Sequence, residues 1–386
     1  VETGGTSLIR VGRFEYLDGL RGIAALAVVN HHFICGFAPW IFPNPALYQL
    51  LFVAGPLVIL RNGNFAVYVF FALSGFVIAN SAASKGYVLP VRLLTRYLRL
   101  AVPLTCSLLF AFALLSLFPN SRLELIHAIP HPWLHAIYLD DMPGVTRALS
   151  DGVFNVFNTG KSGFNNVVWT MKIELFGSCA LYAFYRYCPE RGRIPALLAA
   201  LAAVALWERI YLSFPLGALL REAYVRGYLQ RSVWSWGALA AGIAVGSVCT
   251  YPDLGGLYLP DSALAFFQQN EIVIDGLGAA SLVLAILTLA PLQVALSRLV
   301  PRFLGRISFA LYLVHVPIVY TVIAWMYLSL PIGGYLKLAE LFLSLVTLSL
   351  VAAWVLTIVV DEPLMKGLRK LNAWRPVPRS IPDRAA

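Results

Sequence analysis

The sequence predicts an all-α integral membrane protein, about ten transmembrane helices in one membrane domain. Three observations carry that expectation. The 386 residues are 59% hydrophobic and only 12% charged, whereas soluble domains carry roughly 25% charged residues. The mean hydropathy is +0.75, more apolar surface than a soluble body of this size can hide. The apolar residues also gather into separate stretches of about 20, the length that crosses a bilayer.

In chain order the stretches run over 19–38, 64–82, 100–118, 167–186, 194–207, 233–250, 276–296, 307–328 and 337–360. The interval 208–232 is ambiguous, since it carries Arg209, Arg221, Glu222 and Arg226 beside the apolar run YLSFPLGALL. Charge placement resolves it. With 209–225 as a tenth crossing and a cytoplasmic N-terminus, Arg10, Arg13 and Arg21, then Lys85, Arg92, Arg96 and Arg99, then Arg298, Arg302 and Arg306 all fall on the cytoplasmic side. The loop 251–275, with Asp253, Asp261, Glu271 and Asp275 but no Lys or Arg, falls outside. This is the arrangement the positive-inside rule prefers, and it leaves both termini cytoplasmic. The first 18 residues hold no apolar run of signal-peptide type, so the first helix is expected to remain as a span. Residues 1–363 then form the membrane domain and 364–386 a basic cytoplasmic tail. The net charge of +10 follows from this topology and does not suggest nucleic acid. Five scattered cysteines without a C-x-x-C pair read as small core residues, not as a disulfide frame.

Ionisable residues inside spans are costly and mark functional sites. Here they are His31, His32, Lys172, Glu174 and His315, with Arg21, Arg96, Arg99 and Glu362 at span edges. Arg21 and His32 lie 11 residues apart, which places them on one helix face, about 20° apart in azimuth and about 16 Å in depth. Such a face suits a long anionic ligand, its charge at Arg21 and its reactive end at His32. The plain alternative is a snorkelling arginine and a histidine bonded to a neighbouring helix. His31 points about 100° away and reads as a packing residue. Positions 172 and 174 face different ways, so Lys172 and Glu174 are not expected to pair. His127, His131 and His135 recur every four residues, but Pro130 and Pro132 interrupt any helix there and no Cys or carboxylate sits at ligand spacing, so no metal site is expected.

Six segments in order resemble the acyltransferase 3 family of membrane O-acyltransferases. They are YLDGLRGIAALAVVNHHF with Arg21 and His32, FFALSGFVI at 70–78, RLLTRYLRLAVP with Arg96 and Arg99, VWTMKIELFGS with Trp169 and Glu174, GRISFALYLVHVPI with Ser308, Tyr312 and His315, and DEP at 361–363. The resemblance implies transfer of an acyl group, most commonly acetyl, from cytoplasmic acyl-CoA to a hydroxyl at the outer face. It makes His32 the catalytic base and assigns Arg21, Arg96 and Arg99 to the acyl-CoA site, with the helices expected around a central donor tunnel. Depth along the helices adds two residues. Glu174, about 10 Å in from the outer face and so at a depth similar to His32, reads as orienting or charge-stabilising it or as binding acceptor hydroxyls. His315, about 12 Å in from the cytoplasmic end, reads as a donor-pocket or structural histidine. Arginine clusters bind phosphate through charge-assisted bonds, and a neutral imidazole takes a hydroxyl proton at physiological pH. The acceptor is a glycan, a lipid-linked sugar or a small hydroxylated metabolite, in a plasma membrane or a eukaryotic endomembrane. Two positions depart from the family pattern: Lys172 stands where Ser is common and Phe309 where Tyr is common. The rival reading is a proton-coupled transporter using the intramembrane His and Glu, although no repeated halves of transporter type are visible.

Overall fold

The computed structural model describes residues 14–37, 58–84, 87–129, 131, 133–136, 144–248, 261–331 and 334–373. Arg10, Arg13, Lys85, Cys249, Asp253 and the tail beyond 373, on which part of the charge argument rests, lie outside the described residues. Among the described residues the structure is helical, with no strand. The long helices are α1 (Glu15–Gly36), α2 (Gly63–Ala82), α3 (Leu89–Leu117), α4 (Trp169–Tyr187), α5 (Arg193–Trp207), α6 (Ser213–Val225), α7 (Val233–Ser247), α8 (Asp261–Thr288), α9 (Leu299–Ile318) and α10 (Gly334–Leu356). Wide π turns at Val319–Ile323 and Thr357–Asp361 carry α9 on to Ser329 and α10 on to Ala373.

Among the described residues, six helices are long and apolar enough to cross a membrane: α2, α3, α4 with its lead-in, α8, and α9 and α10 with their extensions. Helix α1 has 22 residues, about 33 Å at 1.5 Å per residue, but Asp18, Arg21, Asn30, His31 and His32 lower its hydropathy. The segments expected to cross at 194–207 and 209–225 are helices of 15 and 13 residues. At about 22 and 20 Å they fall short of the roughly 30 Å hydrocarbon core. Helix α7 also has 15 residues, and the chain just beyond it is outside the described residues. Other boundaries moved because charges sit on helices instead of in loops. Helix α3 begins at Leu89 and carries Arg92, Arg96 and Arg99 in its first turns. Helix α9 carries Arg302 and Arg306. Helix α8 starts at Asp261, so Glu271 and Asp275 belong to a helix and not to an acidic loop. The connection 119–166 is largely helical where described, over Ser121–Ala128 and Val145–Thr159.

Helix α1 packs chiefly on α9 and then on α2, while α2 also meets α6, α8 and α4. Glycines permit the two closest crossings. A Cβ on Gly22 would strike the backbone of Leu304 and Gly305, and one on Gly217 would strike the carbonyl of Ala72. Small residues let helices approach in this way within a bilayer. Helix α2 is tied at its start: the Asn62 side chain accepts from the Phe65 N–H at 2.9 Å and donates to the carbonyls of Gly246 and Val248 at 3.2 and 2.8 Å. Gly22→Ala is expected to push α1 off α9 at a cost of about 1–3 kcal/mol, read as a lower melting temperature in detergent. Gly237→Ala, whose added Cβ meets nothing within 4 Å, should melt like the parent. Equal melting of the two variants would refute the close crossing.

Candidate functional site

Two cavities lie at opposite ends of α1. The first, of about 790 Å³, is lined by Asp18 and Arg21 of α1, Ser74 of α2, Arg96 and Arg99 of α3, Glu174 of α4, Arg302 and Arg306 of α9, and Lys366 and Arg369 beyond α10. Several of these cations are held. Arg96 pairs with Glu174, and its Nε donates to Ser178 Oγ at 2.9 Å. Ser74 Oγ donates to Glu174 Oε1 at 2.6 Å. Arg21 meets Asp18 at 2.8 Å and Arg306 meets Glu362 at 2.6 Å. Arg99 makes no hydrogen bond or ion pair among the described residues and lines the cavity, with Asp361 as the acid that attracts it. A guanidinium without a contacting carboxylate, backed by fixed cations, is an arrangement that holds a phosphate.

The second cavity, about 600 Å³, is lined by His31, His32, Asn64, Trp133, Lys161, Asn166, Trp169, Lys172, Glu208 and Tyr211, among others. His32 is 8% exposed. Its Nδ1 lies 2.8 Å from His315 Nε2, and His315 Nδ1 lies 3.1 Å from the Leu311 carbonyl. The carbonyl can only accept, so His315 Nδ1 carries a proton and its Nε2, in the neutral ring, accepts. His32 Nδ1 therefore donates, which leaves the lone pair of His32 on Nε2, the nitrogen that no hydrogen bond reaches among the described residues. This is the tautomer logic by which a second group aims a basic imidazole. The His32 ring also stacks on Trp133, centroids 4.6 Å apart. Trp133 is held in turn by Tyr320, whose hydroxyl lies 3.1 Å from the carbonyls of Trp133 and Leu134.

A hydrogen-bonded partition separates the cavities. Thr170 and Tyr312 line the basic cavity and Val167 the histidine chamber. Thr170 Oγ1 donates to the Tyr312 hydroxyl at 3.0 Å, and that hydroxyl donates to the Val167 carbonyl at 2.8 Å. Helix α4 forms part of both walls: Trp169 and Lys172 face the histidine chamber, Met171 and Glu174 the basic cavity.

Arg21, Arg96 and Arg99 thus come together, and Glu174 joins them instead of standing beside His32. His315 sits on His32, not among the residues that line the basic cavity. His31 Nδ1 bonds the Arg61 carbonyl at 2.8 Å, consistent with packing. His131 Nδ1 accepts from the Trp133 N–H at 3.2 Å, so it shapes the turn that carries Trp133. Among the described residues no three His, Cys, Asp or Glu converge as metal ligands would. Sequence reasoning missed Arg302, Arg306, Lys366 and Arg369, although their three- and four-residue spacing on helices would have shown shared faces. It also missed Trp133, which no periodicity marks.

Comparison with known proteins supplies a second line of evidence. A family model describing an acyltransferase domain, acyltransferase 3, matches residues 14–358. The chain is 25% identical over 406 aligned positions to "O-acetyltransferase PaAT-1" of Phomopsis amygdali, across 90% of this chain and 80% of that protein. It is 27% identical over 264 positions to "Exopolysaccharide production protein ExoZ" of Rhizobium meliloti (strain 1021), across 66% of this chain and 75% of that protein. No solved structure matches.

Proposed function

The chain belongs to the acyltransferase 3 family and is a membrane O-acyltransferase; from that premise we propose that it draws an acyl group, acetyl in the first instance, from acyl-CoA in the basic cavity and delivers it to a hydroxyl compound in the histidine chamber. The observation that carries this reading is the placement of the two cavities back to back along α1. Arg21 and His32 are separated by about 16 Å of helix, and the bonded Thr170, Tyr312 and Val167 link the wall of one chamber to that of the other. The CoA phosphates sit among Arg21, Arg96, Arg99, Arg302 and Arg306, and the pantetheine arm passes the partition when it opens as a tunnel. In this reading the basic end faces the cytoplasm, both termini with it, and α1 carries the histidine chamber at its other end, toward the outer face.

In this mechanism His32 Nε2 takes the proton of the acceptor hydroxyl as general base. The oxygen attacks the thioester carbonyl, the C–S bond breaks, and the CoA thiolate recovers a proton from the imidazolium. His315 is a positioning residue that holds the His32 tautomer. Glu174 anchors Arg96 at the donor site.

The test is melting of the detergent-purified protein with and without acetyl-CoA. At about 100 times Kd the ligand should add about 2.7 kcal/mol of stability. Arg99→Gln should weaken that stabilisation without changing the unliganded melting temperature. Absence of any acetyl-CoA effect in the parent protein would overturn the donor assignment.

A further inference from the structure

Two lysines in the histidine chamber have no ion pair or side-chain hydrogen bond among the described residues, and the proposed reaction gives them no task. Lys172 lies one turn into α4, on the same face as Trp169. Lys161 follows Gly160, which ends the helix before it with φ +73°. A Cβ placed on Gly160 would lie 3.8 Å from Trp169 Cβ and 3.9 Å from Lys172 Cδ. The Lys172 stem therefore passes Gly160, the residue before Lys161, and both lysines line one chamber, Lys172 half-buried and Lys161 exposed. Neither amine makes an ion pair or hydrogen bond among the described residues. A half-buried cation without a partner on a membrane helix is costly, and a second cation on the same chamber wall raises the cost. An anion shared between them removes both penalties.

The rest of the chamber limits what carries that anion. Trp169 and Tyr211 offer aromatic surface for the apolar side of a ring. Asn64, Asn166 and Glu208 offer hydrogen-bonding groups for hydroxyls. Among the described residues Glu208 is the only acid in the lining, and it makes no ion pair with either lysine.

We propose that the histidine chamber is an acceptor site for a polyhydroxylated ring bearing an anionic substituent, carboxylate or phosphate, which Lys161 and Lys172 bind while His32 meets a neighbouring hydroxyl. The inference rests on the acyltransferase reading for the role of the chamber, but the binding it specifies is measurable without turnover.

The experiment is calorimetric titration of the full chain in detergent at low salt with methyl β-D-glucoside, methyl β-D-glucuronide and methyl β-D-glucoside 6-phosphate. At least one anionic probe should bind about tenfold or more tighter than the neutral glucoside, as charge-assisted bonds imply, and the advantage should shrink as salt is raised. The carboxylate and phosphate arms show which anion the pair prefers. The double variant Lys161→Gln, Lys172→Gln should bind the anions no better than the glucoside, and Lys172→Arg should restore much of the preference. Stabilisation by acetyl-CoA, bound in the other cavity, should persist in the double variant and shows that it is folded. Equal binding of all three probes, no binding of either anion, or a preference that survives in the double variant overturns the proposal. Loss of acetyl-CoA binding with the anion preference intact would instead count against the donor assignment alone.

Discussion

Replacing His32 with Ala should lower acyl transfer by about 10³-fold, within the range of about 10²–10⁴ that a positioned general base supplies, while the protein still binds acetyl-CoA. The expectation follows from the hydrogen-bond chain that begins at the Leu311 carbonyl and ends with an unshared lone pair on His32 Nε2. Two other candidate bases are engaged elsewhere: His31 is turned to the Arg61 carbonyl, and Glu174 is bound to Arg96 and Ser74 in the other cavity. The measurement is CoA release from labelled acetyl-CoA in proteoliposomes, with the acceptor saturating. His315→Ala leaves the base in place but frees its tautomer, so a smaller loss confined to kcat is expected. If His32→Ala retained turnover within about tenfold of the parent, general-base catalysis by this residue would be excluded on the same scale.

Arg96→Met should be the most destabilising single change at the donor end. The Arg96 and Glu174 side chains are 9% and 12% exposed, and Ser74 and Ser178 complete the knot across α2, α3 and α4. Removing one partner of a buried pair leaves an uncompensated charge and costs about 3–5 kcal/mol. The double variant Arg96→Met, Glu174→Met removes both charges and should recover much of that loss, since apolar replacement of a whole buried pair is often neutral. Thermal melting in detergent across the four members of the cycle reads the coupling. A single variant that melted with the parent would show that the knot does not hold the three helices, and Arg96 would then be read for donor binding only.

The membrane class and the His32 helix were legible because they depend on local pattern: hydropathy over 20 residues, and a helical repeat that puts Arg21 and His32 on one face. Helix α1 shows the limit of the hydropathy signal, since the polar residues that build the site also make it the least membrane-like of the long central helices. The partners of His32 were not legible. His315 lies 283 residues away, and depth counted along its own helix placed it with the donor. Only the packing of α9 on α1 brings the two rings together. Glu174 was misplaced for the same reason: its depth in α4 resembled that of His32, but its rotation about the helix turns it to Arg96. Trp133 comes from the connection 119–166, where Pro130 and Pro132 break any helical repeat that could have marked it. The basic cavity was half visible, because arginines at an inner edge satisfy topology as readily as chemistry.

The Thr170–Tyr312–Val167 partition has an electrical consequence as well as a chemical one. A permanent bore joining two polar chambers through a bilayer would short-circuit the voltage and proton gradient that the membrane maintains. A phenol, a hydroxyl and a peptide carbonyl bonded to one another fill that junction when no arm occupies it. In the proposed cycle the pantetheine arm takes their place as it passes and is itself the plug. In that cycle the acyl group would cross and ions would not, so that the protein would work across an energised membrane without discharging it.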